Sequence, residues 1–249
     1  MRYWDSAGTT AREKSPRRRV RRVWFAVPAA VAAAAAAVAL WSGIFVITDV
    51  QFFGGGTIPQ ESLRRVRAGL VGKNLATASF GEAREALLAF PEVRDAKFVR
   101  RPRHTVECRV IKREPVVLLV AGDLLEVDAE GVVMPRRAGP GDIDLPIITG
   151  IGSREIDKPA GARRIERAVE ILELFKKLGL SPATQLSEIH VSGDEIDLVW
   201  MGSGTVVKLG RDQYSSRIRK LQTVIGILSD REGFPSVIDL RFDRQVIVR

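Results

Sequence analysis

Between Pro91 and Val116 apolar and polar positions alternate with a period of two, which predicts strands with one buried and one wet face. In the first strand Val93, Asp95, Lys97 and Val99 alternate with Arg94, Ala96, Phe98 and Arg100. In the second, Val106, Cys108 and Val110 alternate with Thr105, Glu107 and Arg109. Arg101 to His104 makes the turn, because Pro102 lacks the N–H that a central ladder needs. Upstream, residues 44–53 read as a strand that Gly54-Gly55-Gly56 ends. Two helices follow. Thr57 with Gln60 and Ser79 with Glu82 have the spacing of capping boxes. Leu63, Val66 and Leu70 share a face of the first helix, and Phe80, Ala83, Leu87 and Phe90 a face of the second. The order is therefore strand, helix, helix, strand, strand.

Downstream the pattern predicts short strands at Val116–Val120, Leu124–Val127, Val132–Met134 and Ile147-Ile148, with a turn at Asp128–Gly131. Ala162 to Leu178 is an amphipathic helix, with Ile165, Ala168, Val169, Leu172 and Phe175 in one stripe and Gly179 as its C-cap. Arg163, Arg164 and Arg167 form its solvated face. Strands follow at Glu188–Val191, Ile196–Trp200 and Thr205–Leu209, then a helix carrying Ile218, Leu221, Ile225 and Leu228. Val237–Phe242 and Gln245–Val248 form a closing hairpin around Asp243-Arg244.

One stretch has no polar period. Val23 to Ile47 is 25 residues without a charge, ten of them alanine. As a helix it spans about 37 Å, enough to cross a hydrocarbon core of about 30 Å with some tilt. Trp24 and Trp41 read as amphipathic anchors, and Pro28 lies in the first turns, where a missing N–H costs least. The formal charge of +9 is concentrated before this stretch: residues 1–22 carry eight basic and two acidic side chains. That tail reads as disordered, and its arginines place the N-terminus in the cytoplasm. A cleaved signal peptide is the competing reading. The run is longer than a signal core, and residues 39–43 give no clean small-x-small site, so an uncleaved anchor is expected.

Candidate chemistry is sparse. Cys108 is the single cysteine, so it forms no intrachain disulfide and reads as a small apolar residue of the buried strand face. His104 and His190 stand apart in a turn and a strand. Asp123, Glu126, Asp128 and Glu130 lack the spacing of a calcium loop. Gly69 to Asn74 lacks that of a phosphate loop. No nucleophile elbow or metal-spaced cluster is present, so no enzyme, cofactor, metal or small-molecule substrate is expected.

Specific positions then carry a resemblance: Asn74-Leu75, Pro91-x-Val93 with Ala96, the Arg101-Pro102 turn, Arg113-Glu114-Pro115-Val116, Val127-Asp128 with Gly131, Leu145-Pro146 with Thr149-Gly150, Lys208-Leu209-Gly210, and Asp239-Leu240-Arg241-Phe242. In this order, after a single span and β-α-α-β-β, they resemble the FtsQ/DivIB family of bacterial cell-division proteins over roughly residues 20–249. The glycine triplet departs from the pattern. The resemblance implies an α+β fold: a cytoplasmic tail at 1–22, a transmembrane helix at 23–47, a POTRA domain at 48–116, and a second α/β domain at 117–249 built on an antiparallel sheet with two helices. It implies a non-enzymatic, single-pass protein of the inner (cytoplasmic) membrane, its bulk periplasmic, at the division septum. There it would join single-span division proteins of the FtsB and FtsL type and help control septal peptidoglycan synthesis, with no nucleic acid as partner. The partner surface carried over is Arg241, Phe242, Arg244, Gln245, Val246, Ile247 and Val248. Strand addition at a C-terminal sheet edge is the mechanism expected, with Arg241 pairing a partner carboxylate and Phe242 as anchor. Val246 and Val248 read equally well as core of their own domain. Two other readings are a periplasmic POTRA-type chaperone or secretion adaptor, and a DNA-binding protein using residues 1–22; for the latter, attraction to an anionic leaflet explains the same arginines.

Overall fold

A computed structural model describes residues 28–34, 38, 45–102, 104–136, 144–180, 186–228 and 233–249. The tail 1–22, Arg103 of the predicted turn and much of the predicted span lie outside these residues. Residues 28–34 and 38 are helical, and among the described residues no helix is long and apolar enough to cross a membrane. Ile47, read as the last residue of the span, is fully buried, with its N–H donating to Lys73 and its carbonyl accepting from Gly72.

The β-α-α-β-β order is present as β1 (Asp49–Phe53), α1 (Gln60–Leu70), α2 (Gly81–Leu88), β2 (Val93–Arg101) and β3 (Thr105–Lys112). These strands form a sheet in the order β1-β3-β2, with β1 parallel to β3. β1 is shorter than expected: Val46 makes only an isolated bridge to Asn74. β3 follows its alternation, with Val106, Cys108 and Val110 buried. β2 does not: Val93 and Ala96 are both buried and Val99 is exposed. Asp95 disturbs the period, because its carboxylate accepts from the next N–H, that of Ala96, and from the Arg84 guanidinium. The first predicted capping box is absent: Pro59, not Thr57, precedes the first residue of α1, with no side-chain cap, while at α2 Ser79 Oγ accepts from Gly81 N–H.

The remaining strands are β4 (Pro115–Ala121), β5 (Asp123–Asp128), β6 (Val133–Pro135), β7 (Ile147–Thr149), β8 (Leu186–Ser192), β9 (Glu195–Trp200), β10 (Val206–Gly210), β11 (Val237–Asp239) and β12 (Ile247–Val248). Helix α3 (Pro159–Lys177) lies between β7 and β8, and α4 (Tyr214–Leu228) between β10 and β11. All nine strands belong to one sheet, in the order β12-β11-β10-β9-β8-β7-β4-β5-β6. The sheet is mixed, not antiparallel as expected: β4–β7, β7–β8 and β10–β11 are parallel. For β7–β8 and β10–β11 the reason is the helices α3 and α4, since a helical crossover returns the chain to start its next strand in the same direction; between β4 and β7 lie the strands β5 and β6. All five residues of the predicted α3 stripe are buried, with Ile171 beside them. Gly150 explains one motif: it has φ +85° and a Cβ there would stand 2.2 Å from the Val191 carbonyl oxygen.

By compactness the described residues fall into two units. One gathers Pro59–Ala83 and the described residues up to Phe53 and within Phe98–Arg109; the other gathers Gly54–Ile58, Arg84–Lys97 and the described residues from Val110 on.

Candidate partner-binding edge

β12 is an edge of the nine-stranded sheet. It runs antiparallel to β11, with Ile238 opposite Val248 and Asp239 opposite Ile247. Beyond it, Arg249 and Val237 exchange both backbone hydrogen bonds, at 3.0 and 3.1 Å. Bonded and unbonded pairs alternate along an antiparallel ladder, so Val248 is an unbonded position and its N–H and C=O point away from β11.

Two rows of side chains run across the sheet and end at this edge. Cross-strand partners share a face, so the register lines up Ile148, Ile189, Leu198, Val207 and Ile238, every one buried, and then Val248, which is 45% exposed. The buried row stops at Val248 because, among the described residues, no strand lies beyond. Val246, on the same side, packs against the core. The second row, on the opposite face, is Thr149, His190, Asp197, Lys208, Asp239 and Ile247. His190 is satisfied within it: its Nδ1 lies 2.8 Å from Thr149 Oγ1, which also bonds the Glu188 carboxylate. Burial pushes the Asp197 carboxyl above its ordinary range, opposed by the neighbouring Lys208.

The residues singled out in the sequence separate here. Phe242 is 42% exposed, and Arg244 and Gln245 are exposed. A pocket of about 270 Å3 is lined by Lys208, Asp239, Arg241, Phe242, Ile247 and Arg249, together with Val237. Arg241 is engaged within the chain. Its Nε and Nη2 donate to the Asp239 carboxylate at 3.0 and 2.7 Å, its backbone N–H donates to the same group, and Nη1 lies 3.6 Å from Glu195. The Arg241 guanidinium holds the Asp239 carboxyl below its usual range and is itself raised by it.

The sequence reading passed over Arg217. It is buried, and its guanidinium donates to the Leu209 carbonyl at 2.7 Å and pairs with Asp212 at 2.7 Å. The signal was its place four residues before Leu221, on the apolar stripe of α4. Gly210 makes room for it: at φ +78°, a Cβ would lie 2.6 Å from Arg217 Nη1 and 3.0 Å from Arg241 Cγ.

Elsewhere Cys108 is buried, and burial pushes its thiol up to about 11. Among the described residues no cluster of His, Cys, Asp or Glu is arranged to hold a metal ion.

Comparison with known proteins gives one consistent result. The family model described as cell division protein FtsQ/DivIB, C-terminal, matches residues 117–241. The chain is 32% identical over 205 residues to the cell division protein FtsQ of Myxococcus fulvus, covering 81% of this chain and 71% of that protein. It is 29% identical over 228 residues to FtsQ of Anaeromyxobacter sp. (strain K), covering 87% and 77%. It is 30% identical over 254 residues to FtsQ of Rhodothermus marinus, covering 97% and 90%. The family-model match ends at Arg241, immediately before Phe242.

Proposed function

Because the chain belongs to the FtsQ/DivIB family of cell-division proteins, we propose that it is a non-enzymatic division scaffold that captures a partner segment by strand addition to β12. The apolar run that starts at Val23 anchors it in the inner membrane with the N-terminus cytoplasmic, and the folded part, which already includes Ile47, lies outside that membrane, at the septum. The partner is a single-span division protein of the FtsB or FtsL type, and its capture helps control septal peptidoglycan synthesis.

The observation that carries the reading is the buried row that ends in the open at Val248. An added strand extends that row with its own side chain and bonds the outward backbone groups of Val248. Phe242 is the exposed aromatic beside the same edge. Backbone pairing supplies affinity, and the side chains on the two faces supply specificity.

The test is capture of the FtsB-type protein of the same bacterium by the full-length chain in detergent. Phe242→Ala removes the aromatic anchor, worth about 2 kcal/mol or roughly thirtyfold in affinity. Val248→Pro removes one outward N–H while leaving the β11 bonds of residues 247 and 249 in place. Both variants are expected to fold and to capture poorly. Normal capture by both would sink the strand-addition reading. A fluorescent fusion at the N-terminus is expected to form a midcell band as constriction begins; an even envelope signal would count against the scaffold role.

A further inference from the structure

We infer that helix α4 positions the partner-binding edge, with Lys220 and Arg217 as its positioning residues; this rests on the strand-addition reading above. After β11 the chain must reverse to bring β12 back alongside. The reversal, residues 240–246, has no strand or helix of its own. Its carbonyls therefore have no ladder to pair with. Three in succession are instead bonded from α4. The Arg241 carbonyl accepts from Arg217 Nη2 at 3.4 Å. The Phe242 and Asp243 carbonyls accept from Lys220 Nζ at 3.3 and 2.5 Å.

Arg217 and Lys220 are three residues apart, so they project from one face of the helix. Arg217 is itself fixed by Leu209 and Asp212. Leu240, at the start of the reversal, is fully buried, and Asp239 clamps the Arg241 side chain. The backbone of Phe242 is thus held from the helix side while its ring stays exposed to solvent. A segment ordered before binding loses less conformational entropy when a partner arrives. The helix therefore sets affinity without touching the partner.

Lys220 is the residue to perturb, because it is only half-buried and its removal leaves the core intact. The experiment compares Lys220→Met, Lys220→Arg and Phe242→Ala in the full-length chain in detergent. Amide exchange is read over residues 240–246, and affinity is read with the FtsB-type protein of the same bacterium. Lys220→Met is expected to speed exchange in that segment about tenfold and to weaken binding about fivefold, as befits a lost hydrogen bond to a charged donor. Lys220→Arg, which keeps a cationic donor, is expected to restore both. Unchanged exchange in Lys220→Met overturns the inference. So does faster exchange with unchanged binding while Phe242→Ala still binds weakly, and in that case strand addition stands. If Phe242→Ala also binds normally, Phe242 is no anchor and the inference falls, while strand addition is left to the Val248→Pro variant.

Discussion

Asp128 closes the β5–β6 turn, and its two oxygens do different work. Oδ2 accepts from Arg113 Nη1 at 2.6 Å, and Oδ1 accepts from the N–H groups of Glu130 and Val132 at 3.0 and 2.8 Å. The carboxylate side chain is 2% exposed and that of Arg113 is 19% exposed. Asp128→Asn keeps an oxygen for the two N–H groups and loses the ion pair. A hydrogen bond to a charged group is worth about 1.5–3 kcal/mol, so the expected loss is about 2 kcal/mol. Asp128→Ala also strands the two N–H groups at about 1 kcal/mol each, for a total of about 4 kcal/mol. Chemical unfolding of the full-length chain in detergent measures both, provided the denaturant slope is unchanged. The pH dependence is a second reading of the same bond. Burial pushes the Asp128 carboxyl up, but Arg113 and the Val132 N–H outweigh burial and hold it below its usual range. A depressed carboxyl contributes stability above its unfolded value, and that contribution is lost as pH falls through the lower folded value. The gap between wild type and Asp128→Asn is therefore present at pH 7 and closes below about pH 4. Equal losses for Asn and Ala, or a gap that persists in acid, would refute the division of labour between the two oxygens.

Two further substitutions probe the open face and the edge. Gly210→Ala strains a positive φ by about 1 kcal/mol and pushes a Cβ into Arg217 and Arg241. A total loss of about 2–3 kcal/mol is expected, with faster amide exchange in residues 240–246; stability within about 0.5 kcal/mol of wild type would mean that Arg217 has room to move. Asp197→Asn addresses a carboxyl raised by burial. A raised carboxyl disfavours folding above its folded value, and the penalty disappears as pH falls to the unfolded value. The variant is expected to melt higher than wild type at pH 7, with the difference vanishing near pH 4 and below; a lower melting temperature at pH 7 would show that the Lys208 attraction dominates.

The legible parts of the fold were those fixed by neighbours in sequence. The α3 stripe and the Val106, Cys108, Val110 alternation need only the helical and strand periods, and burial follows both. β2 failed because one side chain, Asp95, bonds its own neighbouring N–H, which a count of apolar positions does not register. The mixed sheet was illegible for another reason. Ile148 of β7 lies beside Leu119 of β4 and Ile189 of β8, positions far apart in the chain. The helices between parallel strands were readable as helices, and their consequence for strand direction is a topological one.

The edge itself followed from chain order, but the pairing of Arg241 within the chain did not follow from its type. Asp239 and Arg241 are two residues apart at the end of a strand, which puts them on one face, and the structure closes that pair with two side-chain hydrogen bonds. A partner carboxylate seeking Arg241 must therefore compete with a carboxylate already in place. The exchange gains little, because one charge-assisted pair is traded for another. Phe242 faces no such competitor: its ring is exposed, and burying an exposed aromatic removes apolar surface from water. The charged residue at this edge thus orders the turn, and on the proposed strand-addition reading the aromatic that follows it supplies the binding energy.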